Sequence, residues 1–167
     1  DFQIKALRAG GATAPELQVL KQLAPRLSPN GYRGLTMRIG TALIQSNDNN
    51  QFTALLEYLA SLSNNRPDLA GDRATLQMQW LTARGDWTGA IEHYRKLPAA
   101  IEPALRDSLL NILAGGLIGA GQFDLLDNET QAILKDAAAA QPLRITAMRL
   151  RIHTAIQRGQ PAQTLER

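Results

Sequence analysis

Cysteine is absent from the 167 residues of this chain, and histidine, the other main metal-binding residue, is scarce. Without cysteine the chain cannot form disulfide frameworks, zinc sites built on thiolates, iron–sulfur clusters or cysteine nucleophiles. The two histidines, His93 and His153, lie 60 positions apart. Because a zinc site needs several ligands close together, we expect neither a metal nor a cofactor. No Gly-x-Ser-x-Gly motif occurs, and the sequence predicts a protein that is not an enzyme.

Long apolar runs are also missing. The longest, residues 109–120, is broken by Asn111 and is far shorter than the roughly 20 apolar residues that span a bilayer. Residues 1–5 include neither an initiator methionine nor the charged and apolar regions of a signal peptide. We therefore expect a fragment of a longer protein, with no membrane span in it. The compartment stays open, because a chain without cysteine suits either the cytoplasm or the periplasm.

Acidic residues are rare at the C-terminal end. Residues 141–167 carry five arginines and one acid, a net charge of +4, whereas the preceding part of the chain carries 13 bases and 14 acids. The basic character of the chain therefore belongs to one end. Arginine forks suit carboxylates and phosphates. A genome-wide preference for arginine, which here outnumbers lysine 14 to 4, is the simpler explanation.

Apolar residues recur at helical spacing almost throughout, and the alternation typical of strands is missing. Five tight turns separate helices, and we predict them at Gly11, Asn50, Gly85, Gly121 and Gly159. Successive turns lie 39, 35, 36 and 38 positions apart, a period typical of stacked helical repeats. Asn50 is expected to replace glycine in the second turn, since asparagine is the next best residue for a left-handed backbone.

The most regular turn lies within residues 82–98. Gly85 is followed there by an acid, an aromatic residue, the pattern Ala-Ile-x-x-Tyr and then Leu97. This order resembles the second half of a tetratricopeptide (TPR) repeat. Residues 121–123 (Gly-Gln-Phe) and 50–52 (Asn-Gln-Phe) repeat parts of it, and the resemblance covers residues 33–167.

The resemblance implies an all-α fold, a right-handed α-solenoid or TPR-like superhelix of about four to five antiparallel helix pairs. The approximate units are residues 1–30, 31–65, 66–100, 101–140 and 141–167. Each pair buries its apolar face by stacking on its neighbours. We expect the cut ends of such a stack to mediate dimer contacts.

Helix contacts are predicted from the same register. The facing positions within each pair are Leu43 with Leu55, Met78 with Ala90, Ala114 with Leu126, and Ile152 with Thr164. On the last helix, Met148, Ile152 and Ala155 are predicted to form a buried stripe. The glycine-rich residues 115–121 have neither the preceding strand nor the lysine of a phosphate-binding loop, so they indicate close helix contact instead.

The concave surface of a TPR-like stack is lined mainly by the first helix of each pair. Carried onto this chain, the resemblance implies a groove lined by Asp72, Gln79, Asn111, Arg149 and His153, with Thr75 and Ile118. A second, basic face consists of Arg144, Arg151 and Arg158, which lie nearly in line at sevenfold spacing. The structural alternative is that these arginines face solvent or pair with the next repeat, which lies beyond this fragment.

Such a groove implies a non-catalytic protein–protein interaction scaffold that binds a peptide or a helix. The content of alanine, leucine, glutamine and arginine suggests a bacterial source, and bacterial proteins with similar repeats often serve as periplasmic scaffolds in secretion and exopolysaccharide export. Two alternatives remain open. One is a helical regulatory or accessory domain of a larger enzyme or transcription regulator, and the other is a guide for an anionic polymer, such as a polysaccharide, along the basic face. We do not expect nucleic acid as a partner, because the arginines have no aromatic residues between them.

Overall fold

A computed structural model describes residues 15–62, 66, 68–98 and 101–159, which form helices joined by short connections, with no strand among them. The prediction of an all-α chain is confirmed for this part of the sequence. The elements are α1 (Pro15–Leu23), a 3-10 turn (Ala24–Arg26), α2 (Pro29–Ser46), α3 (Asn49–Leu62), α4 (Asp68–Ala83), α5 (Trp87–Arg95), α6 (Pro103–Gly119), α7 (Phe123–Lys135) and α8 (Gln141–Gln157). The predicted turn at Gly11 and the predicted facing residue Thr164 lie outside the described residues.

Side-chain caps supplied by the sequence start helices α2 and α5. The side chain of Ser28 accepts a hydrogen bond from the Gly31 N–H at 3.2 Å at the start of α2, and Pro29 follows it. At the start of α5, Asp86 Oδ1 accepts from the Gly89 N–H at 2.9 Å. Such side chains satisfy backbone donors that have no partner within the helix. Helices α6 and α8 also have a proline in their first turn, where the missing N–H of proline would have no partner within the helix.

Left-handed residues mark the tight turns. Gly85, Gly121 and Gly159 have φ angles of +69°, +68° and +67°, so the turns predicted at these three glycines are confirmed. The fourth such residue in the described ranges is Asn47, with φ +55°, and not Asn50, which lies in the first turn of α3. Successive members of this set lie 38, 36 and 38 positions apart.

Two hydrogen bonds of the next residue, Asp48, explain why Asn47 takes the left-handed conformation. The Asp48 N–H bonds back to the Leu43 carbonyl at 3.1 Å, closing the end of α2, while Asp48 Oδ1 accepts from the Gln51 N–H at 3.0 Å and caps α3. A helix end of this type places the left-handed residue one position before the residue that bonds back. The turn therefore falls three residues earlier than the asparagine run alone suggested.

The chain divides into two units, with the division after Gln77 in α4. In the first unit, α1 packs on α2 and α2 packs on α3. Gly40 lies directly against the Leu76 side chain, which occupies the space that a Cβ would need, so α2 and α4 approach closely. The core of this unit includes Leu20, Ile39, Leu43, Phe52, Leu55 and Leu59.

In the second unit, α6 is the central element, because it packs on α5, α7 and α8, and α7 also packs on α8. Four of its five leucines are fully buried, namely Leu109, Leu110, Leu113 and Leu117. A Cβ on Gly116 would lie 2.8 Å from Cζ3 of Trp87, which confirms close helix contact at this glycine. A Cβ on Gly115 or Gly119 would meet no described atom within 4 Å, so the contact predicted for the glycine-rich segment is local to Gly116.

Burial agrees with most of the predicted facing positions. Leu43, Leu55, Met78, Ala90, Ala114 and Leu126 are all buried. The last helix differs, because Met148 and Ile152 are exposed while Ala155 is buried. The predicted buried stripe on α8 is therefore wrong for two of its three residues. Sequence periodicity identifies an apolar face, but the burial of that face depends on whether another element packs against it.

Candidate functional site

Four of the five predicted groove residues lie in the second unit at equivalent positions of their helices. Asn111 and Arg149 each lie ten residues before the left-handed glycine that follows their helix, Gly121 and Gly159 respectively. Gln79 and His153 each lie six residues before such a glycine. Residues at the same distance from the turn occupy the same face of equivalent helices, since the helical repeat is constant.

A direct contact joins two of these residues. Nη2 of Arg149 on α8 donates to Oδ1 of Asn111 on α6 at 3.2 Å. The Asn111 amide nitrogen donates to the Asp107 carbonyl at 2.9 Å, which orients its oxygen toward the guanidinium. His153 is exposed one turn beyond Arg149 on the same helix. Together, Asn111, Arg149 and His153 make a polar track across two adjacent helices.

Asp72 has a different role. It belongs to the first unit, where its carboxylate is buried and its Oδ1 accepts from Nε of Arg33 at 2.7 Å. This pair joins α2 to α4. A carboxylate that is removed from solvent and held by a cation is not presented on an open surface, and loss of its partner would leave an uncompensated buried charge. Sequence register placed Asp72 on the first helix of its pair, but burial decides that it is a packing residue.

The three arginines of the basic face have unlike surroundings. Arg158 forms ion pairs with Asp124 at 2.6 Å and with Asp127 at 3.1 Å, both on α7. Arg144 is exposed, and Arg151 is half-buried. The two acids offset the charge of Arg158, so the basic face is weaker than the sequence predicts. The structure pairs Arg158 with the preceding helix, whereas the structural alternative named the next repeat.

Two ion pairs in the second unit share the same sequence separation. On α5, Nε of Arg95 donates to Oε2 of the buried Glu129 on α7 at 3.0 Å, and its Nη2 contacts the other carboxylate oxygen. This contact raises the pKa of Arg95 further above its usual value. The partners lie 34 positions apart in the pair Arg95–Glu129 and again in the pair Asp124–Arg158. This separation of opposite charges, close to one repeat, is visible in the sequence, but the sequence analysis did not use it to predict ion pairs.

A cavity of about 420 Å³ lies in the second unit, between the connections of its helices. Its lining combines apolar side chains with one phenol, one guanidinium and one carboxylate, and includes Tyr94, Ile101, Arg106, Ile133, Asp136 and Leu143. Burial raises the pKa of Tyr94 to about 12, so this phenol stays neutral at physiological pH. Arg106 donates to the carbonyls of Leu97 and Pro98, each at 3.1 Å, and thereby holds the connection that follows α5.

Among the described residues, no group of three or more histidine, aspartate or glutamate side chains is placed to hold a metal ion. No helix in the described ranges combines the length and the apolar character needed to cross a bilayer.

Comparison of the chain with protein-family models, with curated proteins and with solved structures finds no match.

Proposed function

We propose that this chain is a TPR-like interaction scaffold. In this proposal its helix pairs stack as a right-handed solenoid, and the first helices of the pairs line a groove for a peptide or a helix. The support for stacking is the regular spacing of the left-handed turn residues, at 38, 36 and 38 positions. Further support comes from contacts between equivalent helices within each unit, such as α2 with α4 and α6 with α8.

The single observation that carries the binding proposal is the hydrogen bond from Arg149 to Asn111. It joins equivalent positions of consecutive first helices, so it places polar side chains of two helices in one continuous track. A track on rigid helices presents its donors and acceptors with little ordering cost, which favours binding of an extended or helical segment. In this proposal Gln79, Asn111, Arg149 and His153 contact the partner, while Asp72 supports the packing.

The resemblance to TPR repeats extends this proposal to a setting. We propose a bacterial assembly for secretion or exopolysaccharide export, in the periplasm, with the chain as a non-catalytic component. The support for this setting is the TPR-like motif of residues 82–98 and the arginine-rich, lysine-poor composition. A copy of the chain docked at the end of the stack farthest from α8 is the proposed route to a dimer.

The proposal is tested by identifying and then measuring a partner. The chain is used as bait, captured proteins are identified, and the affinity of a purified candidate is measured for the wild type and for Arg149→Ala/His153→Ala. We expect the double variant to bind at least tenfold more weakly while its circular dichroism stays unchanged. Arg144→Ala is the matched control, because it removes an exposed arginine from the same helix and lies outside the track. Unchanged affinity in the double variant contradicts the groove assignment.

An anionic polymer is the second candidate ligand, and one observation favours it. Helix α8 carries arginines at 144, 149 and 151 and no acidic residue. Binding of a polysaccharide with carboxylate groups should then weaken steeply between low and high salt, because counterions screen exposed charges. Arg144→Ala should weaken polymer binding, whereas it leaves a groove-bound peptide unaffected. Binding that does not respond to salt argues against this ligand.

A further inference from the structure

Helix α8 presents an apolar stripe to solvent. The stripe consists of Ile145, Met148, Ile152 and Ile156, whose exposed fractions are 58%, 56%, 45% and 59%. Within the described part of the chain, these are all the large apolar residues that are exposed. Their spacing of three, four and four residues places them on one side of the helix, over a length of about 17 Å. A contiguous exposed apolar surface is typical of an interaction site.

The same positions are buried in the preceding first helices. Counted from the left-handed turn residue, Met148 and Ile152 lie at the positions eleven and seven residues before it. The equivalent residues are Thr36 and Gly40 in α2, Ala74 and Met78 in α4, and Leu110 and Ala114 in α6, and all six are buried. The stripe therefore has the position of a packing face, but no element among the described residues covers it.

The structure shows what kind of element fits such a face. Gly40 is covered by Leu76 of the next first helix within the first unit. In the second unit, Thr82, three residues before its turn, lies against Gly116 of α6, where a Cβ on Gly116 would be 3.4 Å from Cβ of Thr82. In both units a helix covers this side. The apolar residues of the stripe, at helical spacing, fit another helix with its own apolar stripe.

The charged residues beside the stripe indicate which side chains the covering helix should carry. Arg149 lies four residues after Ile145 and three before Ile152, so it borders one edge of the stripe. Arg144 lies four residues before Met148 and borders the other edge. No acid occurs in α8 to offset them. A second copy of α8 would bring arginines against arginines, whereas acidic side chains on both edges of a partner helix would complement them.

We infer that the apolar stripe of α8 docks an amphipathic helix of a partner protein that carries acidic side chains on both sides of its apolar positions. This surface is separate from the proposed groove. None of the four apolar residues of the stripe is a groove residue, and Arg149 borders both the stripe and the groove. The experiment therefore tests the stripe independently of the groove, because its decisive variant changes only apolar residues of the stripe.

The experiment measures fluorescence anisotropy of a labelled helical peptide with leucine at positions i, i+3, i+7 and i+11 and glutamate on both sides. We expect saturable binding to the wild-type chain, and binding at least tenfold weaker for the same peptide with lysine in place of glutamate. Met148→Gln/Ile152→Gln should weaken binding of the acidic peptide at least tenfold. Both side chains are exposed, so this variant keeps its core. The matched control is Ala120→Gln/Ala132→Gln, which places two glutamines outside the stripe in the same unit and should bind as the wild type does.

Three results would overturn the inference. The first is an acidic peptide that does not bind, or that binds Met148→Gln/Ile152→Gln as well as the wild type. The second is a dimer in analytical ultracentrifugation that this variant converts to a monomer, which would assign the stripe to a second copy. The third is a gain of tenfold or more in peptide affinity when the chain ends at Gly159, which would assign the stripe to residues 160–167.

Discussion

The Arg149 guanidinium donates to the Asn111 amide oxygen at 3.2 Å, and the two residues occupy the same position, ten residues before the left-handed glycine that follows each helix. Because α6 and α8 are adjacent, this register turns two residues 38 positions apart into one polar surface. The contact is the basis of the proposed groove, so its energetic weight matters for every binding experiment on this surface.

We expect Asn111→Ala and Arg149→Ala each to change the free energy of unfolding by no more than about 0.5 kcal/mol. Arg149 is exposed, and an exposed polar pair exchanges its mutual bond for bonds to water. Urea denaturation of the two single variants and of the double variant measures both the individual effects and their coupling. A loss above about 1 kcal/mol in either single variant would show that the pair holds α6 to α8, and loss of partner binding would then no longer report on recognition.

Gly116 and Gly115 form a matched pair of neighbours on one helix with opposite expected outcomes. Gly116→Ala should destabilise the chain by about 1–3 kcal/mol, because the added methyl group meets the Trp87 ring. Gly115→Ala meets no described atom within 4 Å and should stabilise the chain by up to about 1 kcal/mol through helix propensity alone. Thermal denaturation of both variants checks this. Equal effects of the two substitutions would contradict close packing of α5 on α6.

Asp86 is expected to contribute about 1 kcal/mol as the cap of α5. Asp86→Ala removes the acceptor for the Gly89 N–H and leaves that donor without its side-chain partner. Asp86→Asn keeps an acceptor oxygen of the same length and is the matched control, which we expect to stay within about 0.5 kcal/mol of the wild type. Chemical denaturation distinguishes the two. A large loss in the asparagine variant would mean that the charge of Asp86, and not its hydrogen bond, stabilises the helix.

Tyr94 should make stability sensitive to alkaline pH. Burial raises its pKa in the folded chain to about 12, against about 10 when it is unfolded. Above pH 10 the unfolded chain releases this proton before the folded chain does, so unfolding becomes more favourable as pH rises toward 12. The stabilisation due to the neutral phenol is thus complete below pH 10 and is lost between about pH 10 and 12.

The test compares the wild type with Tyr94→Phe at pH 9 and at pH 11. At pH 9 we expect the two free energies of unfolding to lie within about 1 kcal/mol of each other, because the buried hydroxyl has no hydrogen-bond partner among the described residues. At pH 11 the phenylalanine variant should gain about 1 kcal/mol relative to the wild type, since it has no proton to release. A difference that is the same at both pH values would contradict burial as the cause of the raised pKa.

Much of the local structure could be predicted from the sequence. The turns at Gly85, Gly121 and Gly159 were predictable because a left-handed backbone strongly favours glycine, and the all-α class followed from helical periodicity. The turn near Asn47 was displaced by three residues because residues 47–50 all suit a turn, and only the paired bonds of Asp48 select one of them.

The candidate site was only partly predictable. Register placed Asn111 and Arg149 on one face, and the structure brings them into contact. The same register placed Asp72 in the groove, where burial and Arg33 give it a packing role instead. The acidic partners of Arg158 both lie on the preceding helix, α7, and nothing local to Arg158 points to them.

The sequence by itself determined where helices start and stop, since caps, prolines and left-handed turns act over a few residues. Only the tertiary structure decided which apolar faces are covered. Met78, Ala114 and Ile152 lie at the same distance from their turns, yet the first two are buried and Ile152 is 45% exposed. Burial is a property of two surfaces in contact, and the helical pattern of one segment describes only one of them.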